Sequence, residues 1–285
     1  MNNPMTNLIP RTTYHAVYDD AIMDALRYAR TNGFAGVQFA VDVPTLSHER
    51  LSAAQRDAVG RYREEYNLTI SLRTSISLTQ TSPAVLAGVF EYYKGLFQFA
   101  EDVSAAAVVL PLGTLPAFPT DTDPRLDYPP QSQTAWTANL DANLRRLINL
   151  AAMRFTLAVE PVRLARPVVD VLTPLLGDAG LSLCWDLPRT YRRAPHLPVY
   201  EDARQWEIDP AAETFFVKHL RHVRHARLHD LRGRQAHRVI GTGEVDVPRF
   251  LHRLTDANVR EFTLDVRPRE KALESLQNLK KLLDG

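Results

Sequence analysis

The chain has 285 residues, 45% hydrophobic and 24% charged, which is the make-up of a folded globular protein rather than a disordered or fibrous one. Lys and Arg number 34 against 33 Asp and Glu, and a net charge of +1 argues against any general affinity for nucleic acid or membrane surfaces. A single cysteine, Cys184, excludes an intrachain disulfide, residues 1–7 lack the basic and apolar regions of a signal peptide, and no apolar run reaches the roughly 18 residues of a membrane span, so a cytoplasmic protein is expected.

Strand-like apolar runs alternate with helical patterns along the whole chain. Residues 7–10 read as a weak first strand. Residues 19–31 carry helical periodicity (Ile22, Leu26, Ala29) and stop at Asn32-Gly33, a C-cap signal. Residues 35–40 read as a buried strand, 49–66 as a charged amphipathic helix and 68–73 as the third strand. Ser82-Pro83 supplies an N-cap and a first-turn proline for a helix to about residue 101. Residues 105–110 form the fourth strand. The irregular stretch 112–134, rich in Pro, Asp and Thr, reads as a substrate-covering lid or a poorly ordered loop.

The second half is more regular. A helix at 136–153 leads to strand five, 155–160, which ends in Glu160. A helix at 165–176 leads to strand six, 181–186, which ends in Asp186. The loop 187–198 carries Arg189, Arg192 and Arg193. After a helix around 211–221, strand seven, 226–229, ends in His229; strand eight, 261–265, ends in Asp265; the last helix covers 270–283. Eight such alternations predict an α/β fold, a (β/α)8 TIM barrel forming a single domain over 1–285. The alternative is an open doubly wound sheet, but no Gly-rich phosphate turn follows its first strand.

A closed parallel barrel brings all strand carboxyl ends to one rim. Glu160, Asp186, His229 and Asp265 would then converge although they are distant in sequence. Any one of them reads equally as a polar strand end or a helix cap. Four at successive strand ends point to a site. Three carboxylates and an imidazole suit one divalent metal ion: Mn, Mg, Co or Zn. Without a cation the clustered carboxylates would repel and raise one another's pKa values.

The stretch from Ala226 to Asp246 resembles the "H-x-x-D … H … G-x-G-x-[IV]-[DN]" region of the xylose isomerase-like TIM barrels, a superfamily of sugar isomerases, ketose epimerases and metal-dependent apurinic endonucleases. Ala-Val-Glu160-Pro is similar to the family's "[LI]-x-[LIV]-E" strand, and Asp186 in Trp-Asp-Leu-Pro-Arg is similar to the Asp of "D-x-x-H". His229 matches the metal-binding His of strand seven, and Asp265 stands where a final Glu is usual. Residues 33–38 are similar to "G-[FY]-x-[GA]-[VI]-E", with Gln38 for Glu. The resemblance implies Glu160, Asp186, His229 and Asp265 as metal ligands, with Glu160 and Asp265 also moving substrate protons.

The departures matter as much. Arg189 replaces the His of "D-x-x-H", and Arg73 and Pro111 stand near positions where many relatives carry His. Enough ligands remain for one metal, not the three of the zinc endonucleases. The expectation is therefore a metal-dependent isomerase or epimerase acting on a small sugar, sugar acid or sugar phosphate through a cis-enediolate. Arg189, His237, Arg232, Arg234 and Arg73 are the expected substrate-binding residues, with the arginines suited to an anionic group. The expected partner is a small carbohydrate, with a homo-oligomer compatible and neither nucleic acid nor membrane expected. The alternatives are an apurinic endonuclease-like repair enzyme or a degenerate non-catalytic barrel. The basic run 218–238 reads as a solvated helix followed by a site loop, Trp185 as core by strand alternation, and His15 as a structural histidine near the rim.

Overall fold

The structure is a computed structural model that describes residues 10–79, 82–112, 130–162, 164–193, 205–259 and 261–284. Its barrel strands are β1 (Arg11–Ala16), β2 (Gly36–Ala40), β3 (Thr69–Arg73), β4 (Ala107–Pro111), β5 (Thr156–Glu160), β6 (Ser182–Asp186), β7 (Val223–Leu228) and β8 (Glu261–Leu264). They close into a barrel in the order β1-β8-β7-β6-β5-β4-β3-β2. The helices of the alternation are α1 (Ile22–Thr31), α2 (Ala53–Glu65), α3 (Pro83–Asp102), α4 (Pro130–Ala151), α5 (Arg166–Leu172), α6 (Pro210–Lys218), α7 (Val247–Asp256) and α8 (Arg269–Asp284). None of them is long and apolar enough to cross a membrane.

Two boundaries differ from expectation for one reason. β1 begins at Arg11, where residues 7–10 had been expected, and residues 7–9 lie outside the described residues. β7 begins at Val223, three residues early. Both strands carry polar side chains on the face that an apolar count assumes to be hydrophobic. Two expected helices are shorter than their patterns: a 3-10 turn, His48–Arg50, precedes α2, and α5 stops at Leu172. Pro174 lacks the N–H that would extend α5. Of the stretch 112–134 expected as a lid or poorly ordered loop, residues 113–129 lie outside the described residues, and from Pro130 onward the chain belongs to α4, which starts ahead of the expected residue 136.

The chain forms two compact units. The first comprises Met1–Gln38, Tyr66–Thr69 and Cys184–Gly285. Its outer core packs helices on strands: Trp185 stacks on Phe216 at 4.8 Å and meets Phe250 edge-on at 5.4 Å, while its indole N–H donates to Thr190 Oγ1 at 2.7 Å. Trp185 is thus core, as strand alternation required. Tyr14 packs on Tyr28 and Phe34 and donates to the buried Asp19, which also pairs with Arg269 at 3.2 Å. The second unit, Phe39–Glu65 and Ile70–Leu183, has a core that includes Phe90, Tyr93, Phe97 and Phe99, with Phe97 against Phe155 at 5.0 Å.

Inside the first unit the strands alternate with period two, and the inward face is polar. Thr13 and His15 on β1, His225 and Arg227 on β7, and Glu261 and Thr263 on β8 are all buried. Register places Thr13 opposite Thr263, and Thr263 opposite Arg227. Their hydroxyls meet at 2.8 Å, and His225 Nε2 lies 2.8 Å from Thr263 Oγ1 and 2.9 Å from Gln38 Nε2. Thr13, Thr263, His225 and Gln38 thus share hydrogen bonds within this lower layer, and His225 Nδ1 faces Glu261 Oε2 at 3.5 Å. The next inward positions toward the carboxyl ends are His15, Arg227, His229 and Asp265.

The loop after β7 is held by a single carboxylate. Asp230, fully buried, accepts N–H bonds from Leu231 (2.8 Å), Gly241 (3.0 Å), Gly243 (2.8 Å) and Val245 (3.0 Å). This explains the Gly-x-Gly turn: Gly241 adopts φ +83, and a Cβ on Gly243 would lie 2.1 Å from Leu231 O and 2.3 Å from Asp230 Oδ1. Asp246 then caps α7 by accepting from the Arg249 N–H at 3.2 Å. Asp230→Ala leaves those N–H groups buried and unpaired, so it should cost about 3 kcal/mol or more. Gly243→Ala should be similarly damaging, whereas Arg234→Ala, on the exposed tip, should change little. Urea unfolding midpoints check the order.

Candidate active site

Four side chains converge at the carboxyl ends of β7, β8 and β6 within the first unit: Asp186, His229, His237 and Asp265. Asp265 follows β8 and is 1% exposed. Its Oδ1 accepts from His15 Nδ1 at 2.7 Å. Its Oδ2 accepts from the Arg227 guanidinium at 2.5 Å and faces His237 Nδ1 at 3.0 Å. Arg227 is itself only 2% exposed. Burial alone would raise the Asp265 pKa, but Arg227 and His15 outweigh it and hold the carboxyl well below its ordinary value.

His229 lies beside this group, its ring 4.5 Å from the His237 ring. Its Nδ1 lies 3.1 Å from the His237 backbone nitrogen and 3.3 Å from the Asp230 main-chain oxygen, and its Nε2 lies 3.4 Å from Asp186 Oδ1. Burial pushes the His229 pKa down; the Asp186 carboxylate more than offsets that, and the net direction is up. Asp186 moves the opposite way: burial raises its pKa, and His229, Arg227 and Arg189 together lower it. Asp186 Oδ1 is buried with only the His229 ring nitrogen, at 3.4 Å, facing it and no closer hydrogen bond among the described residues, so it has room to accept a substrate hydroxyl. His237 holds φ +59, a left-handed conformation uncommon outside glycine, and its Nδ1 also sits 3.1 Å from the Asp265 main-chain oxygen. Only an N–H points at a carbonyl oxygen, so that nitrogen is a donor.

The other expected residues divide clearly. Arg189, about half exposed, places Nε 3.5 Å from Asp186 Oδ2. Glu160, buried at the end of β5 in the second unit, is gripped by Arg73 through Nε–Oε2 at 3.3 Å and Nη2–Oε1 at 3.5 Å. Arg232 and Arg234 are exposed on the hairpin formed by Asp230–Arg232 and Gln235–Arg238, and among the described residues neither bonds to the cluster. Their expected place at the substrate gains no support from the geometry. Arg227, one of many basic residues in 218–238, and His15, expected to be structural, both touch Asp265. The available signal was spacing. Arg227 lies two residues before His229 in a strand, so both face inward.

By spacing, His229, His237 and Asp265 are compatible with a divalent ion, since each offers a ligand atom within 4.8 Å of the others. The charges around Asp265 fit one poorly. Both Asp265 oxygens are engaged by donors. A proton on His237 Nδ1 leaves its Nε2 bare, as a ligand nitrogen must be, so the obstacle lies in the charges and not in the ring protons. A unit cation 4 Å from another costs about 4 kcal/mol even at an effective dielectric of about 20, and a dication doubles that. The fixed charge of Arg227 therefore opposes a metal here.

The His229–Asp186 pair has a pH signature. A histidine whose folded pKa is raised stabilises the fold fully below its unfolded value of about 6.5, and that stabilisation is lost as pH rises through the folded value. The stability difference between wild type and Asp186→Asn should thus be largest between about pH 4 and about pH 6, shrinking on the alkaline side as His229 loses its proton and on the acid side as Asp186 gains one. Thermal unfolding across pH checks this, and a difference independent of pH would refute it.

Comparison with known proteins agrees with the architecture. The family model described as xylose isomerase-like TIM barrel matches residues 26–282. Among solved structures, a D-tagatose 3-epimerase-like protein superposes with a TM-score of 0.73 at 15% identity, covering 97% of each chain. The D-allulose 3-epimerase from Methylomonas sp. gives 0.65 at 16% identity, covering 96% of this chain and 99% of that one. The 3-keto-D-glucoside 4-epimerase YcjR from E. coli gives 0.67 at 13%, covering 97% and 100%. At such identities the likeness carries the fold. No curated protein matches the sequence. The matched model spans nearly the whole alternation of strands and helices, and the chain belongs to the xylose isomerase-like TIM barrel family.

Proposed function

We propose that this chain is a sugar isomerase or epimerase that moves a proton at a carbon next to a carbonyl, on a small sugar, sugar acid or sugar phosphate. The observation that carries the reading is Asp265: a buried carboxylate held deprotonated by Arg227, His15 and His237 at a barrel strand end. The ionised form is the one a base requires, and to take a proton Asp265 must release one of the donors that hold its oxygens. The epimerase names of the similar structures support the substrate class.

Proton abstraction next to a carbonyl puts negative charge on oxygen, in an enediolate. Donors already aimed at that region stabilise it without reorganising. His237, one-third exposed, is the most accessible donor of the cluster, and it orients a substrate hydroxyl or carbonyl. Asp186 Oδ1 accepts a substrate hydroxyl, which satisfies an otherwise unmet buried acceptor. Glu160 keeps the second proton-transfer role that its place at the end of β5 implies, with Arg73 holding it in one orientation. Arg189 and Arg267, each partly exposed near Asp186 and Asp265, favour a substrate that bears an anionic group.

The direct experiment follows deuterium uptake from D2O at the carbon beside the carbonyl, across a panel of ketoses, sugar acids and sugar phosphates. Exchange is expected for at least one member; no exchange with any would return the chain to the non-catalytic barrel. Asp265→Asn and Glu160→Gln should each reduce kcat by roughly 100-fold or more, the usual worth of a proton-transfer group. Arg189→Ala should raise KM for an anionic substrate and barely affect a neutral one, the pattern of lost uniform binding. The preference for the anion should weaken with salt, since partly exposed charges are screened over about 8–10 Å. Equal effects on charged and neutral substrates would make Arg189 structural.

A further inference from the structure

We infer that the cation of this centre is Arg227 itself, and that the centre works without a divalent metal ion. The metal-free charge pairing stands on geometry, and the catalytic use of Arg227 rests on the proposed proton transfer. Arg227 lies on β7, two residues before His229, and both face inward. At 2% exposure its guanidinium is removed from water, and a buried charge persists only when paired. It is paired with Asp265 at 2.5 Å and lies 3.4 Å from His15 Nδ1.

The charge balance makes the case specific. Asp186 and Asp265 bring two negative charges to the cluster. Arg227 supplies one fixed positive charge, Arg189 lies 3.5 Å from Asp186, and Arg267 lies 3.9 Å from Asp265. Among the described residues of the first unit these two acids are matched by guanidinium groups before any histidine is protonated, which weakens their draw on a dication. A divalent ion at His229, His237 and Asp265 would have to compete with His15 and Arg227, which hold the two oxygens of the carboxylate. A guanidinium fixed in a water-poor site supplies the service required here: positive charge preorganised beside a reacting oxygen. Its five donors and permanent charge suit that role better than lysine would.

The test is metal binding to the intact protein. The wild type is dialysed against a chelator and titrated with Mn²⁺, with free Mn²⁺ read by electron paramagnetic resonance, and Co²⁺ and Zn²⁺ are followed by calorimetry. The wild type should show no stoichiometric site with Kd below about 10 µM. Arg227→His removes the fixed charge and adds an imidazole, and should bind Mn²⁺ or Co²⁺ at least about tenfold more tightly. Arg227→Lys retains the charge and should leave the centre metal-free. If the histidine variant does not fold, the wild-type titration decides alone. One tightly bound equivalent in the wild type, lost in Asp265→Asn, would overturn the inference while leaving the proposed reaction untouched.

Discussion

The buried pair between Arg227 and Asp265 is the constraint on which the upper end of the first unit depends. Taking two such charges out of water costs several kcal/mol for each ion, and attraction between them repays this only with good geometry and further hydrogen bonds. Those bonds are present. His15 holds the second carboxylate oxygen, and His237 adds a contact at 3.0 Å. The arrangement fixes side chains from β1, β7 and β8 and from the loop after β7 around one carboxylate. Removing any one partner would leave a buried charge with less compensation.

The loop beyond β7 transmits that order outward. Asp230 gathers backbone N–H groups from both ends of the loop, and it directly follows His229. Glu244 extends the scheme: Oε2 accepts from the backbone of Gln205 and Trp206 at 2.8 and 3.0 Å, and Oε1 accepts from Gly233. Two carboxylates with distinct duties, neither in the cluster, thus position the backbone that carries His237. The left-handed conformation of His237 is maintained by these neighbours, and its N–H and side chain each make a bond that depends on it.

A barrel interior is commonly filled by branched apolar side chains. Here the inward face of β1, β7 and β8 is polar through two successive layers. The lower layer, with His225, Thr263, Thr13 and Gln38, is hydrogen-bonded internally. The upper layer contains the charged groups. Stacking polar layers lets the acids sit deep without meeting an apolar floor, which would raise their pKa values toward the neutral form. It also excludes bulk water from the region where proton transfer is proposed, so each fixed charge acts over a lower dielectric.

Much of the architecture was legible in the chain itself. Alternating apolar runs and helical periods give a (β/α)8 barrel, because strand and helix periods are local properties of sequence. The strand-end residues Glu160, Asp186, His229 and Asp265 were equally legible, since each closes an apolar run. Asp246 announced the start of α7 by its position before Val247-Pro248. The starts of β1 and β7 were not legible, because polar inward residues remove the hydrophobic signal on which strand detection relies. Nor were the roles of Arg227 and His15. In sequence, Arg227 is one basic residue among many in 218–238, and Asp265 is 38 positions away. Which arginine loses its water and which keeps it is decided when the strands come into register, because desolvation and pairing belong to the packed barrel and have no local signature.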